Sequence, residues 1–468
     1  MGAYTPGQAK EVPLRDFAPD LPIDTPGIIL DAVGAQPTLS GFRPLPNPTN
    51  IGDALEARPL GSYLAYYSDE TTQLFAATAA RLWYLNGTTW ENAGAFPSAL
   101  SYVRFTQFGD DVLCVGSGSG ADKKILIAAN KATSFSVISG SPADPTVIVG
   151  MEGQVLAFAG QNWFSSAAGD DADWAADVAT LAATGILYGA PGPIVGGAAI
   201  YDNALAFKKN SIFLGRQSGP PHSWEWEPIS RQVGTWGQGC IIAGPGWVDF
   251  LGVDDFYTTT GYAPERIPNN LKDWFFRKVN PTYLPNTQGW YDASQGTSYW
   301  HFVSNDAALP PTCDMFVSYN RRAKRWCVGY LDVSSVPYLG TASVQLPLPT
   351  SANATILIDG SFAPNRLFTG GVGTAMALLT GYYGDPGRVS QLMRVRPKYN
   401  TRPDVEVVTP FYTGILGEED TSPGAAILGN DGWHYTRQTG RYHRMRLATE
   451  GNCEVTALAA ELREAGVR

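Results

Sequence analysis

Histidine occurs only four times in this chain, cysteine five times, and charged side chains make up just 16% of its 468 residues. Each shortage excludes something. His222, His301, His434 and His443 form no pair at the helical spacing of a metal site, and no two cysteines lie two residues apart, so the common zinc patterns are missing. Cys114, Cys240, Cys313, Cys327 and Cys453 are odd in number and sit mostly inside apolar runs, as expected of buried free thiols in a reducing compartment. The least polar stretch, Leu181 to Tyr201, is broken by Pro191, Pro193 and several glycines, and no charged-then-apolar leader opens the sequence. Neither a membrane span nor secretion through a signal peptide is supported. Stretches suited to helix, Asp170 to Ala183 and Asn270 to Val279, are short and isolated, so helical domains are not expected. A formal charge of −10 argues against a chain whose task is gripping nucleic acid, which needs clustered Lys and Arg.

What is plentiful is material for strands and turns: 44% apolar residues, 12% aromatic, 51 Gly and 34 Pro. Seven times a short apolar run is followed by a second one. The first members begin at Leu74, Val112, Val155, Ala204, Val248, Tyr299 and Ile356; the second begin at Leu82, Ile125, Trp163, Ile212, Phe256, Met315 and Leu367. The mean step from Trp83 to Leu367 is about 47 residues, the length of a propeller blade. Several units add an aromatic strand carrying Trp90, Trp174, Trp224 with Trp226, or Trp326. One such unit exposes both faces of a small sheet, and radial stacking of neighbours covers them. The spacing predicts an all-β chain with a β-propeller of six or seven blades over residues 61–388.

The flanks differ from the repeat. Residues 1–60 hold ten prolines and little periodicity, which predicts an extended Pro-rich arm that gains order by lying along something else. Residues 389–468 carry longer strands, around Leu392 to Arg396, Val405 to Val408, Arg441 to Leu447 and Cys453 to Leu458, and predict a C-terminal β-sandwich or extra sheet. In Arg444-Met445-Arg446-Leu447, charges alternate with apolar residues, as in a strand with one wet face. A second basic cluster, Arg321, Arg322, Lys324 and Arg325, reads as a solvated hairpin tip.

Catalytic patterns are thin. Gly116-Ser117-Gly118-Ser119-Gly120 lacks both the nucleophile-elbow register and a following Gly-Lys-Ser/Thr, and reads as a turn. Gly87-Thr88-Thr89-Trp90 matches the second half of the Asp-box hairpin of sialidase-like propellers, but Leu85 stands where the aspartate belongs. A glycosidase needs two positioned carboxylates; Asp170, Asp171, Asp173, Asp177, Asp254 and Asp255 supply acids without a geometry. The acidic loop at Asp170 is also a calcium candidate, lacking the Gly and terminal Glu of an EF-type loop. Trp224-Glu225-Trp226 puts two rings on one strand face, either a sugar or base platform or blade packing. No catalytic, cofactor-binding or metal residue is assigned.

The order of segments resembles the tail hub proteins of short-tailed bacteriophages, also called tail nozzle or packaged-DNA stabilisation proteins. Four stretches carry the likeness: Asp20-Leu21-Pro22 through Gly41-Phe42-Arg43-Pro44; Trp163-Phe164-Ser165 to Asp173-Trp174, with Leu205-Ala206-Phe207-Lys208, Trp224-Glu225-Trp226 and Ile267-Pro268; Tyr319 to Cys327; and Thr439 to Leu447. The resemblance implies a non-enzymatic virion protein, assembled in the bacterial cytoplasm as a homo-oligomeric ring, a hexamer. It would sit in the tail below head-to-tail adaptor proteins, meet tail fibre or needle proteins, retain packaged DNA and let the duplex pass through the lumen without specific binding. It implies no cofactor. The rival readings are a glycan-degrading propeller enzyme and a monomeric carbohydrate- or peptide-binding propeller.

Overall fold

Seven four-stranded antiparallel sheets follow one another along the chain and close into a ring. The computed structural model describes residues 9–45, 49–96, 100–118, 123–293, 295–308, 310–330, 340–343, 355–358, 361–366, 373 and 375–466. Leu367-Phe368 and Ser119-Gly120 lie outside the described residues. The inner strands are Gly61–Tyr66, Tyr102–Phe108, Val147–Gly150, Ile194–Ile200, Ile241–Gly244, Gln288–Asp292 and Gly340–Ser343. Each packs against the next, and the seventh packs against the first. The fold is a seven-bladed β-propeller.

The paired apolar runs are the second and third strands of the blades, for example Asn203–Lys208 beside Ile212–Gln217 in the fourth. They are apolar on both faces because neighbouring blades cover both. Val147, Phe158, Ala206, Phe213 and Trp224 form one such cluster between the third and fourth blades; Leu205, Phe207, Ile212, Val248 and Phe250 form the next. Full burial of side chains of this size contributes about 1.5–3 kcal/mol each, so the stack of interfaces is the propeller's main source of stability. The inner strands are mixed: Ile194–Ile200 is rich in Gly and Ala, whereas Gly61–Tyr66 and Tyr102–Phe108 set aromatic residues among polar ones, so none of the three reads as a plain apolar run of the paired kind. At Gly197 a Cβ would lie 2.7 Å from the Val149 side chain and 3.3 Å from Phe158.

Ring closure uses both ends of the propeller sequence. The seventh sheet runs Gly340–Ser343, Thr355–Ile358, Pro364–Arg366 and then Thr49–Asn50, with Asn365 opposite Asn50 and Arg366 opposite Thr49. The last blade is thus completed by a strand made before the first.

A two-layer β-sandwich stands outside the sixth blade. One sheet centres on the long strands Glu454–Gly466 and Val389–Thr401, the other on Tyr442–Glu450. Here the structure differs from the expected boundaries. Ala9–Pro13, Ala35–Pro37 and Phe42–Pro44 belong to the first sheet, and Ile29–Val33 to the second, so residues 9–44 are sandwich strands and not a separate arm. Pro13, Pro37 and Pro44 close short strands, where a missing N–H costs little of the ladder. Met376–Thr380 and Tyr383–Gly384 also join the second sheet, ahead of the boundary at residue 389. Between the strands the turn at Gly41 crosses Glu454–Gly466 so closely that a Cβ there would sit 1.8 Å from the Val455 carbonyl oxygen.

The two halves share one core. Phe256, Phe275, Trp300 and Trp326 of the propeller side pack continuously with Phe17, Ile29, Phe42, Leu378, Met445 and Val455 of the sandwich side. The only α-helix among the described residues, Lys272–Lys278, is held there too: Asp20 accepts hydrogen bonds from the backbone N–H of Asp273 at 2.7 Å and Trp274 at 2.8 Å. Around Asp170 to Ala183 the chain forms turns and isolated bridges instead of helix, and Trp174 sits in that loop, not on an outer strand. Its indole N–H donates to the Asp171 carbonyl at 2.8 Å.

Candidate functional site

A cavity of about 480 Å³ opens where the inner strands of six consecutive blades begin, which places it on the propeller axis. Arg58 comes from the segment leading into the first blade and Arg104 from the inner strand of the second. Tyr102, Thr146, Gln238 and Gln288 add hydroxyl and amide groups, and no Asp or Glu is among the described lining residues. Several of these polar groups already have work. Gln238 bridges the Gly197 N–H and C=O at 2.6 and 2.8 Å, and the Tyr102 hydroxyl donates to the Thr146 carbonyl at 3.3 Å. The arginines are less occupied. Arg58 Nη2 donates to the Pro311 carbonyl at 3.2 Å, and the Arg104 guanidinium lies 5.2 Å from the Tyr102 ring centre. The Nε of each is buried without a hydrogen-bond partner.

The acids singled out in the sequence are scattered among structural duties. Asp254 accepts from Arg266 and from the Tyr257 hydroxyl, both at 2.8 Å, while buried Asp255 accepts from Asn269 at 2.8 Å. In the loop of the third blade, Asp170, Asp173 and Asp177 each accept a backbone N–H two residues on, closing tight turns. Asp171 is different. It is buried, its Oδ2 has no partner, and burial, helped by the charges of Asp111 and Asp170, raises its pKa to about 6. Because the folded value stands above the ordinary 3.8, ionising Asp171 costs stability as pH rises from about 4 to 6. Asp171→Asn removes that cost, so it will stabilise the fold by about 1–2 kcal/mol at pH 7.5 and by nothing from this source at pH 3.5. Urea midpoints at the two pH values check the sign.

The remaining candidates also turn inward. Trp224 donates to Gln154 Oε1 at 3.0 Å and Trp226 packs on Phe158 and Trp163, so the paired rings serve blade packing. Gly87 takes φ +62° in the hairpin before Trp90, whose indole N–H reaches the Asp53 carbonyl at 2.9 Å. His301 accepts from the Trp290 indole at 2.9 Å, and burial pushes its pKa down to about 3. His443 lies between Ser390 and Gln438 with its pKa lowered by burial to about 4. The five cysteines are free and buried. No cluster of three or more His, Cys, Asp or Glu is placed to hold a metal among the described residues. No helix there is long and apolar enough to cross a membrane.

The basic turn is the clearest departure from expectation. Arg321 pairs with fully buried Asp249 and lies 3.8 Å from the Trp247 ring centre. Arg325 spends all five N–H donors on the N-terminal segment. Its Nη1 donates to the carbonyls of Thr38 and Gly41 at 3.0 Å each, its Nη2 to those of Leu14 at 3.0 Å and Arg15 at 2.8 Å, and its Nε to Asp16 at 3.2 Å. Two residues of the supposed solvated tip are therefore anchors. Among the C-terminal strands, Arg444 pairs with Asp420 between Tyr382 and Phe411, whereas Arg437 and Arg446 are exposed.

Arg58 and Arg104 carry no sequence signal. Arg58 stands between an Ala and a Pro, and Arg104 interrupts a strand that reads as ordinary alternation. Only ring closure brings them to one cavity.

No family model matches the chain, and no curated protein matches it. Among solved structures it is similar to a chain of a mitotic checkpoint complex, with TM-score 0.43 and 10% identity over 71% of this chain and 96% of that one. It is also similar to the Pan2 WD40 domain of Neurospora crassa, with TM-score 0.39 and 8% identity over 67% of this chain and 96% of that one.

Proposed function

We propose that the chain is a non-catalytic structural subunit of a short-tailed phage tail, a hub or nozzle protein that assembles as a ring and lets the genome pass through its lumen. The observation that carries this reading is the continuous core joining propeller and sandwich. Two modules linked by a flexible segment move independently; two modules sharing buried aromatics behave as one rigid block, as a wall element must. The order of sequence segments supports the family, and the net charge of −10 suits a conduit that duplex DNA passes without sticking. In this reading the contact between copies uses the side of the sandwich where both sheets end. There Val405–Thr413 and Ile427–Leu428 are edge strands, and Val407 and Ile427 are exposed. The outer edge of Ile427–Leu428 offers backbone groups to a second copy, whereas Val408, Pro410 and Tyr412 already bond Ala426, Ser422 and Thr421 of the same chain.

Native mass spectrometry and electron microscopy of the purified chain, alone and on its adaptor ring, test the proposal. A closed ring with an axial opening wide enough for a duplex is expected, with Ile427→Asp weakening ring formation. A chain that stays monomeric under both conditions, or a ring without an opening, overturns it. Incubation with host polysaccharide separates the enzymatic rival: new reducing ends abolished by Asp254→Ala would replace the structural reading.

A further inference from the structure

The cavity on the propeller axis holds two arginines and no described carboxylate, in a chain whose acids outnumber its bases by 43 to 33. That local excess is unusual here. Several other enclosed cations find anions or carbonyls: Arg321 has Asp249, Arg394 has Glu461 at 2.6 Å, and buried Lys208 donates to the carbonyls of Leu187 and Ala190 at 2.9 and 2.7 Å. Arg104 has no hydrogen bond or ion pair to any described residue, and its guanidinium lies over the Tyr102 ring.

A buried donor left unmade costs about 1–3 kcal/mol, and more when the group is charged. Natural folds rarely keep such a group unless something else satisfies it. Burial holds the pKa values of both Arg58 and Arg104 below the ordinary arginine range, the direction expected when no anion offsets lost hydration. Both remain cations at neutral pH, since an arginine side chain starts so far above it.

We propose that this axial cavity binds a small oxyanion of the phosphate or phosphate-monoester class, with Arg58 and Arg104 as its charged donors. Guanidinium groups present forked N–H pairs that match phosphate oxygens, and charge-assisted bonds of this kind are roughly twice as strong as neutral ones. The neutral rim suits the rest of such a ligand: Thr146, Gln288 and Asn286 offer polar contacts, while Ile194 and Trp236 offer an apolar wall. A cavity of about 480 Å³ lies within the size range of small-molecule sites. The site stands apart from the sandwich, so it is independent of how copies of the chain meet.

The probes are inorganic phosphate and pyrophosphate, with succinate as a dicarboxylate and sodium chloride at matched ionic strength. Isothermal titration of the full chain will show saturable binding of one pyrophosphate per chain. Arg104→Gln will weaken it by about tenfold or more, the loss expected for one charge-assisted contact, and will leave the melting temperature of the ligand-free protein unchanged or raised. Arg58→Gln, read in the same way, covers the case in which Arg104→Gln does not fold. Equal effects of pyrophosphate and chloride, succinate binding more tightly than either phosphate, or undiminished binding in the folded variants would each overturn the proposal.

Discussion

A chain lacking residues 1–45 will fail to fold to a soluble monomer. The truncation removes four strands from the two sheets of the sandwich and takes Leu14, Phe17, Ile29, Ala32 and Phe42 out of the shared core. With about 1.5–3 kcal/mol for each large buried side chain, the loss is on the order of 10 kcal/mol, comparable with the whole stability of a typical domain. Expression yield, heat capacity traces and circular dichroism of the truncated chain check this. A segment that only reached across to a neighbouring subunit would give a different result: the monomer would fold normally and only assembly would suffer. Supplying residues 9–45 as a separate peptide will partly restore the fold, because its contacts run to strands already present in the rest of the chain.

Arg325→Ala will lower the stability by about 3–5 kcal/mol, the range for breaking an enclosed, hydrogen-bonded ion pair. Four backbone carbonyls and Asp16 lose their donor together. Burial already pushes the Asp16 carboxyl up, and Arg325 is the main influence holding it down. Arg325→Lys will recover less than half of the loss, since an ammonium has three donors on a point and cannot span carbonyls of Leu14 and Gly41 at once. The substitution will also change where the chain opens. Limited proteolysis of Arg325→Ala will cut first between residues 14 and 41, in the segment the guanidinium held. Urea midpoints that match wild type, or a first cut elsewhere, would show that the surrounding aromatic core alone fixes this segment.

Blade strands two and three were legible because burial on both faces makes them almost wholly apolar, as in Leu205-Ala206-Phe207. Inner strands were less so: that of the fourth blade uses Gly196 and Gly197 where a longer side chain would collide, and others, such as Tyr102–Phe108, mix aromatic and polar residues. The N-terminal segment read as an arm because its strands are short and punctuated by prolines; Ala9–Pro13 pairs with residues more than 400 positions away and Ile29–Val33 with Met376–Thr380, which leaves little local periodicity. The outward reading of Arg321 and Arg325 followed from a turn rich in like charges. Their partners, Asp249 and the backbone of residues 14–41, come from another blade and another domain. The axial cavity was invisible for the same reason, since Arg58 and Arg104 meet only when the ring closes. The C-terminal strands were visible by alternation, and their observed extents, Val389–Thr401 and Tyr442–Glu450, exceed the expected ones because long strands continue into polar ends.

The strand Thr49–Asn50 sets an order in time. Its partner, Pro364–Arg366, is made more than 300 residues later, and Ala9–Pro13 before it waits for Glu454–Gly466. Pairings that distant in sequence close slowly, because chain entropy must be lost before any contact repays it. The nascent chain therefore carries Ala9–Pro13 and Thr49–Asn50 without their partners while the blades between them are made. Blades one to six can stack as they emerge, but the ring waits for Pro364–Arg366 and the sandwich for Glu454–Gly466. Quality control of this fold therefore falls late, when Thr49–Asn50 meets Pro364–Arg366 and Ala9–Pro13 meets Glu454–Gly466.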